Sequence, residues 1–139
     1  MLSQLVYVSL RDDSCTDDEI GNILAACQRN NGKYGVTGVL LYSSRKFVQY
    51  IEGEDRQLMA LYDKIKGDPR HKNPVMITLA PIAERAFPSW QMGSRTFEEG
   101  ELDFATPMTA NEKALFRDIL NGAPQSGNQA LALLQKLFR

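Results

Sequence analysis

Short β-rich runs alternate with two amphipathic helical stripes in the order β-α-β-β-α-β-β, and two more helical stripes close the chain. That order predicts an α+β domain. It is the ferredoxin-like arrangement with one strand added, and right-handed crossovers place both helices on one face of the sheet. Residues 1–95 make the predicted core, and residues 96–139 make a C-terminal helical extension of the same unit.

The first strand is predicted over Leu5–Leu10 (LVYVSL). Thr16 then opens a helix, with Glu19 at the capping-box spacing. Ile20, Ile23, Leu24 and Cys27 form one apolar stripe, and Asn30-Asn31-Gly32 is the predicted end, with Gly32 suited to a left-handed C-cap. Val36–Tyr42 (VTGVLLY) and Lys46–Glu52 (KFVQYIE) read as two strands joined by Ser43-Ser44-Arg45, a hairpin-length connection. A second helix follows Gly53. Its stripe is Leu58, Leu61, Tyr62 and Ile65, and Gly67-Asp68-Pro69 stops it. Pro74–Ala80 (PVMITLA) is the predicted fourth strand, and the segment Phe87–Arg95 (FPSWQMGSR) holds the fifth, starting after Pro88.

The sheet's other face then needs cover, and the tail has residues to supply it. Thr109 and Glu112 form another capping-box pair, followed by Leu115, Phe116, Ile119 and Leu120, with Asn121-Gly122 as the stop. After a turn-rich break at Pro124–Gly127, Asn128–Phe138 carries Leu131, Leu134, Leu137 and Phe138 on a last stripe. These helices suit either the free face of the sheet or a second subunit.

The 139 residues fit one domain, and 43% hydrophobic with 24% charged residues is an ordinary globular composition. The 16 basic and 17 acidic residues leave a formal net charge of -1, which gives no reason to expect nucleic acid or an anionic membrane as partner. No apolar run approaches the roughly 18 residues of a membrane span. The start, MLSQLVYVSL, reads as a strand rather than a signal peptide. Cys15 and Cys27 have neither a disulfide pattern nor a metal-ligand spacing, so a cytoplasmic location is expected. His71 is the only histidine, which argues against a His-based metal site. The glycines fit no phosphate loop.

A few residues do not suit a plain core. Phe47, Gln49 and Ile51 share one face of the third strand, so Gln49 sits between two large hydrophobes. A buried amide needs partners or costs about 1–3 kcal/mol. The plain alternative is an edge glutamine bonded to backbone. Tyr7 lies on one face of the first strand with Leu5 and Ser9. The first and third strands are central neighbours in a ferredoxin-like sheet, so Tyr7 and Gln49 are expected to meet on the helix-bearing face. Asn30 and Asn31 can end a helix or read the imide edge of a ligand. Asp68, Arg70 and His71 follow the second helix, where a solvated loop is the plain reading. Trp90 and Met92 share a face of the predicted fifth strand, which more often means core.

In order and spacing, these segments resemble the BLUF family, sensors of blue light using FAD. The matching pieces are LVYVS at 5–9, NN followed by GVTGVLLY at 30–42, FVQYIEG at 47–53, LYDKI then DPRH at 61–71, and RAFPSWQM at 85–92. The resemblance implies a ferredoxin-like fold with FAD held between the two helices. It implies that Tyr7 donates an electron and a proton, and that Gln49 bridges Tyr7 and the flavin. Asn31 would hold the ring's carbonyl and imide edge, with Asn30 at the adjacent position. Trp90 and Met92 would be the switch pair near Gln49. Asp68, Arg70 and His71 would flank the ring and ribityl chain, and Ile23, Leu24 and Phe47 would be apolar walls. The implied activity is light sensing rather than catalysis. With only two short helices after the core, output is expected to pass to a separate downstream protein or through a homo-oligomer.

Two other readings share the layout. KFVQY at 46–50 faintly resembles an aromatic RNA-binding strand, although the charge is near neutral. An acylphosphatase-like enzyme would use Arg11 in a phosphate loop, although DDSCTDD after it is acidic and repels phosphate.

Overall fold

The structure is a computed structural model that describes residues 1–88, 92–97, 109–124 and 127–137, apart from the side chains of residues 31, 127 and 128. β1 (Leu2–Arg11) and β3 (Lys46–Glu54) run antiparallel at the centre of a five-stranded sheet. β2 (Thr37–Tyr42) pairs antiparallel with β3, β4 (His71–Pro81) pairs antiparallel with β1, and β5 (Gly93–Thr96) runs parallel to β2. The spatial order is β4-β1-β3-β2-β5, which is the ferredoxin-like order with one strand added beside β2.

α1 (Asp17–Tyr34) and α2 (Asp55–Lys66) cover one face of the sheet. Thr16 caps α1 by accepting the Glu19 N–H at 3.3 Å. The helix does not stop at Asn30-Asn31-Gly32 but runs through them to Tyr34. Asn and Gly each cost about 1 kcal/mol or less inside a helix, which a docked apolar stripe outweighs. The left-handed turn comes at Gly35 (φ 70°) instead. Between β2 and β3 the backbones approach so closely that a side chain at Gly38 would meet the Tyr50 carbonyl oxygen at 2.0 Å.

The inward-facing side chains of this face are Leu5, Tyr7, Phe47, Ile51, Leu58 and Tyr62, together with Ile20 and Ile23. The opposite face carries Val6, Val8, Val39, Leu41, Val48 and Tyr50. α3 (Ala110–Leu120) and α4 (Gly127–Leu137) pack on it through Phe116, Ile119, Leu133, Leu134 and Leu137. Each such side chain contributes about 1.5–3 kcal/mol by leaving water. Thr109 and Glu112 form the full reciprocal capping box at the start of α3. Lys46 Nζ donates to the Leu120 carbonyl at 2.9 Å, and Arg95 Nη1 donates to the Leu137 carbonyl at 2.5 Å. The sheet thus places a cation on the C-terminal end of each helix, where the macrodipole favours it.

The fifth strand departs from its predicted start just after Pro88. It begins only at Gly93. The N–H groups of Ala86 and Phe87 are taken by the Glu52 carboxylate, at 2.9 Å each, and Pro88 has no N–H to offer a ladder. Pro74 falls inside β4 rather than at its start, which the strand's outer position permits.

Candidate functional site

Tyr7 and Gln49 stand directly opposite each other in the β1–β3 register. Both side chains point to the face covered by α1 and α2, and both are buried. The Tyr7 hydroxyl donates a hydrogen bond to Gln49 Oε1. The Gln49 amide nitrogen in turn donates to Met92 Sδ at 3.4 Å. A phenol, an amide and a thioether therefore form one continuous chain across the strands. Gln49 is not the edge glutamine bonded to backbone.

This chain borders a cavity of about 140 Å³. Tyr7, Gln49 and Leu40 line its floor, Ile23, Ala26, Cys27 and Asn30 come from α1, and Leu61, Lys64 and Ile65 come from α2. Asp68, Arg70 and His71 complete the lining after α2. Of the residues singled out in the sequence, Tyr7, Ile23, Asn30, Gln49, Asp68, Arg70 and His71 meet here. Leu24 is half-buried in the surrounding cluster, and Phe47 is fully buried behind His71, with ring centroids 4.6 Å apart. Asn31 follows Asn30 in α1, and its side chain is outside the description, as is the whole of Trp90.

Several lining residues were not singled out as site residues. Cys27, Leu61 and Ile65 lie on the two apolar stripes, four residues from Ile23 and from one another on α2, so helical spacing carried their signal. Ala26 and Lys64 had none.

Electrostatics set the protonation states. Burial pushes the Tyr7 phenol well above its ordinary value, so it is a neutral donor. Tyr62 packs against its ring at 5.6 Å and His71 meets it edge-on at 6.1 Å. Burial lowers His71 to about 4, which leaves the ring neutral near pH 7. Its Nδ1 is 2.8 Å from Ser9 Oγ. Arg70 grips Asp68 in a fork, with Nη2 to Oδ2 at 2.7 Å and Nε to Oδ1 at 3.0 Å, which holds the Asp68 carboxyl below its usual range. Glu19 of α1 adds a longer ion pair to Arg70 at 3.7 Å. Burial raises the Cys27 thiol, which keeps it protonated beside Gln49.

The lining suits a flavin. Ile23, Ala26, Leu40, Leu61 and Ile65 offer an apolar slot for a flat ring. The Gln49 amide offers a donor whose present acceptor is a thioether, a weak one. A ring carbonyl is a better partner for that N–H.

The comparisons with known proteins agree. The model of the BLUF family, "Sensors of blue-light using FAD", matches residues 2–93. The chain belongs to the BLUF family. A photoactivated adenylate cyclase subunit beta from Euglena longa is 38% identical over 98 residues, which is 70% of this chain and 11% of that protein. The dark-state structure of BlrB, a BLUF protein, superposes with a TM-score of 0.73 at 31% identity, covering 99% of this chain and 94% of that one. The Klebsiella pneumoniae protein BlrP1 with FMN and cyclic diGMP gives a TM-score of 0.68 at 27% identity, over 87% of this chain and 35% of that chain. This BLUF chain is thus a blue-light sensor on the ferredoxin-like fold read from its sequence.

Two competing readings fail on geometry. Phe47 and Tyr50, the aromatic residues of KFVQY, are wholly buried and present no ring for a base to stack on. Arg11 is committed to the Cys15 and Ser43 carbonyls, both at 2.9 Å, and to Asp17 at 3.0 Å, so it frames no phosphate loop.

Proposed function

We propose that this chain binds FAD in the cavity between α1, α2 and the sheet, and that Tyr7, Gln49 and Met92 convert light absorption into a changed hydrogen-bond pattern. The observation that carries this reading is the continuous Tyr7–Gln49–Met92 chain on the cavity floor. Ile23, with Leu24 and Phe47 in the cluster behind it, would form the apolar wall for the ring, and Asn30 and Asn31 would hold its polar edge. Asp68, Arg70 and His71 would flank it, and Arg70 and Lys64 would supply positive charge at the cavity.

When bound, the flavin supplies the light-driven electron acceptor. Tyr7 is placed to give up an electron and, along its bond to Oε1, a proton. Gln49 has both a donor and an acceptor end, so it relays the proton and returns rotated or as its tautomer. Burial keeps Tyr7 protonated beforehand, so the event starts from one defined state. The bond from Gln49 to Met92 Sδ is then made or lost, and Met92, with Trp90 nearby in sequence, passes the change to β5. Nothing is consumed, and the residues return to their starting state in darkness.

Residues 1–95 form the light-sensing core, and 96–139 form the helical extension that receives the signal. Its recipient is a separate downstream protein or the partner in a homo-oligomer, in the cytoplasm, without nucleic acid or membrane. Among the described residues, no helix is long and apolar enough to cross a membrane.

The test is a visible spectrum of the purified protein. Flavin bands that move red under blue light and recover in darkness are the expected result. A protein that takes up no flavin, or whose bands do not move, overturns the reading. Mass analysis of the released chromophore distinguishes FAD from FMN.

A further inference from the structure

Glu52 is fully buried on the face opposite the cavity. An isolated carboxylate there would be very costly, so its partners matter. Four donors meet its two oxygens. Oε1 accepts from the Tyr50 hydroxyl at 2.8 Å and from the Ala86 N–H at 2.9 Å. Oε2 accepts from Thr37 Oγ1 at 2.8 Å and from the Phe87 N–H at 2.9 Å. Arg85 reinforces the site. Its Nη1 donates to Thr37 Oγ1 at 2.9 Å and to the Glu52 carbonyl at 3.2 Å, and its Nη2 donates to the Gly35 carbonyl at 2.6 Å.

Glu52 lies three residues beyond Gln49 on β3, so the two side chains leave the strand on opposite faces. Phe87 packs in the core under α3 and α4, with its ring 5.6 Å from Tyr50. Met92 packs in the core under α1 and α2. Phe87 and Met92 therefore lie on opposite faces of the sheet. The first is bound by Glu52 and the second by Gln49, both from the same strand. The Met92 carbonyl also accepts from Gln28 of α1 at 3.5 Å.

We propose that Glu52 is a positioning residue for the light response: by fixing the backbone at Ala86 and Phe87, it sets how close Met92 Sδ comes to the Gln49 amide. The proposal rests on the reading of Gln49 and Met92 as the switch. The Gln49 amide has a thioether as acceptor and a cavity beside it, whereas the Glu52 carboxylate is held by four donors at once. Movement at Gln49 is thus felt at Met92 against a fixed reference.

Glu52→Gln is a sharp test. Each carboxylate oxygen now serves one loop N–H. An amide keeps one acceptor, so whichever way it turns, one backbone N–H loses its partner. The Tyr50 and Thr37 hydroxyls can rotate, but a backbone N–H cannot. With flavin-loaded protein, Glu52→Gln is expected to change the dark-recovery rate about tenfold, the scale of one unmade hydrogen bond to a charged group. In a Met92→Ala background the same substitution is expected to change that rate less than twofold, because the contact it adjusts is already gone.

A Glu52→Gln variant that recovers at the wild-type rate overturns the proposal. So does an equal fold-change with and without Met92, since a purely structural role lowers the melting temperature without that coupling. If Glu52→Gln fails to fold, Glu52→Asp keeps the charge, draws the carboxylate back from the Ala86 and Phe87 N–H groups, and enters the same cycle, where either of those two results again overturns the proposal. Wild-type protein without a reversible red shift would instead sink the switch reading itself, which separates the two failures.

Discussion

The two faces of the sheet handle buried polar groups in opposite ways. Under α1 and α2, the Gln49 amide donates to a thioether beside a cavity, so its best hydrogen-bonding capacity is unspent. Under α3 and α4, the Glu52 carboxylate meets four strong donors in a closed core. A polar group with a weak partner and space beside it can change partners at little cost, whereas one with every lone pair taken cannot. The contrast separates a face built to respond from a face built to hold.

Tyr7→Phe is the strongest way to break the comparison. It removes the hydroxyl that donates to Gln49 while keeping the packed ring. Flavin should remain bound and the reversible red shift should vanish. A shift of unchanged size and kinetics would show that the responsive face does not depend on this hydroxyl.

Phe116→Ala probes the other face. Phe116 is fully buried and meets Phe97 edge-on at 5.2 Å. Loss of such a side chain costs about 3–5 kcal/mol, read by denaturant unfolding. The size of the light-induced shift should survive in whatever fraction remains folded. A changed shift would mean that the two faces are not separable.

His71 links stability to pH on the responsive face. Its folded-state value of about 4 lies below the ordinary 6.5. As pH falls from about 6.5 to about 4, the unfolded chain takes up a proton that the folded chain resists, so stability declines across that window and the full contribution is present above it. The loss is on the order of 2–3 kcal/mol. Unfolding of wild type and His71→Gln at pH 7 and pH 4.5 checks it, and a wild-type-minus-variant difference that does not vary with pH would refute it. Smallest is Lys46→Ala, which removes a cation from the end of α3 and should cost about 0.3–1 kcal/mol in the same assay.

Much of the responsive face was legible because strand alternation is a strict rule. Placing Tyr7 and Gln49 on inward faces of neighbouring strands needed only period two and the element order. The Thr109–Glu112 box was equally readable, since capping is local. The holding face was not. In the alternation Val48, Tyr50, Glu52, the glutamate looks like the wet end of a strand, and nothing nearby in sequence shows that Ala86 and Phe87 will close over it. The end of α1 was misjudged because Asn30-Asn31-Gly32 can stop a helix without having to, and the helix runs on to Tyr34, with the left-handed turn at Gly35.

The outer strand β4 limits how copies of this chain can associate. Its pairing with β1 slips between Val8 and Leu10, where Asn73 takes a positive φ of 50° and Pro74 has no N–H. Val75 and Leu79 are exposed along it, so an unbroken rim there would invite another strand and, repeated, a fibril. The slipped register interrupts that template near its start. An edge broken in this way disfavours residue-by-residue extension of the sheet along β4, so its exposed apolar side chains carry less risk of strand-by-strand growth.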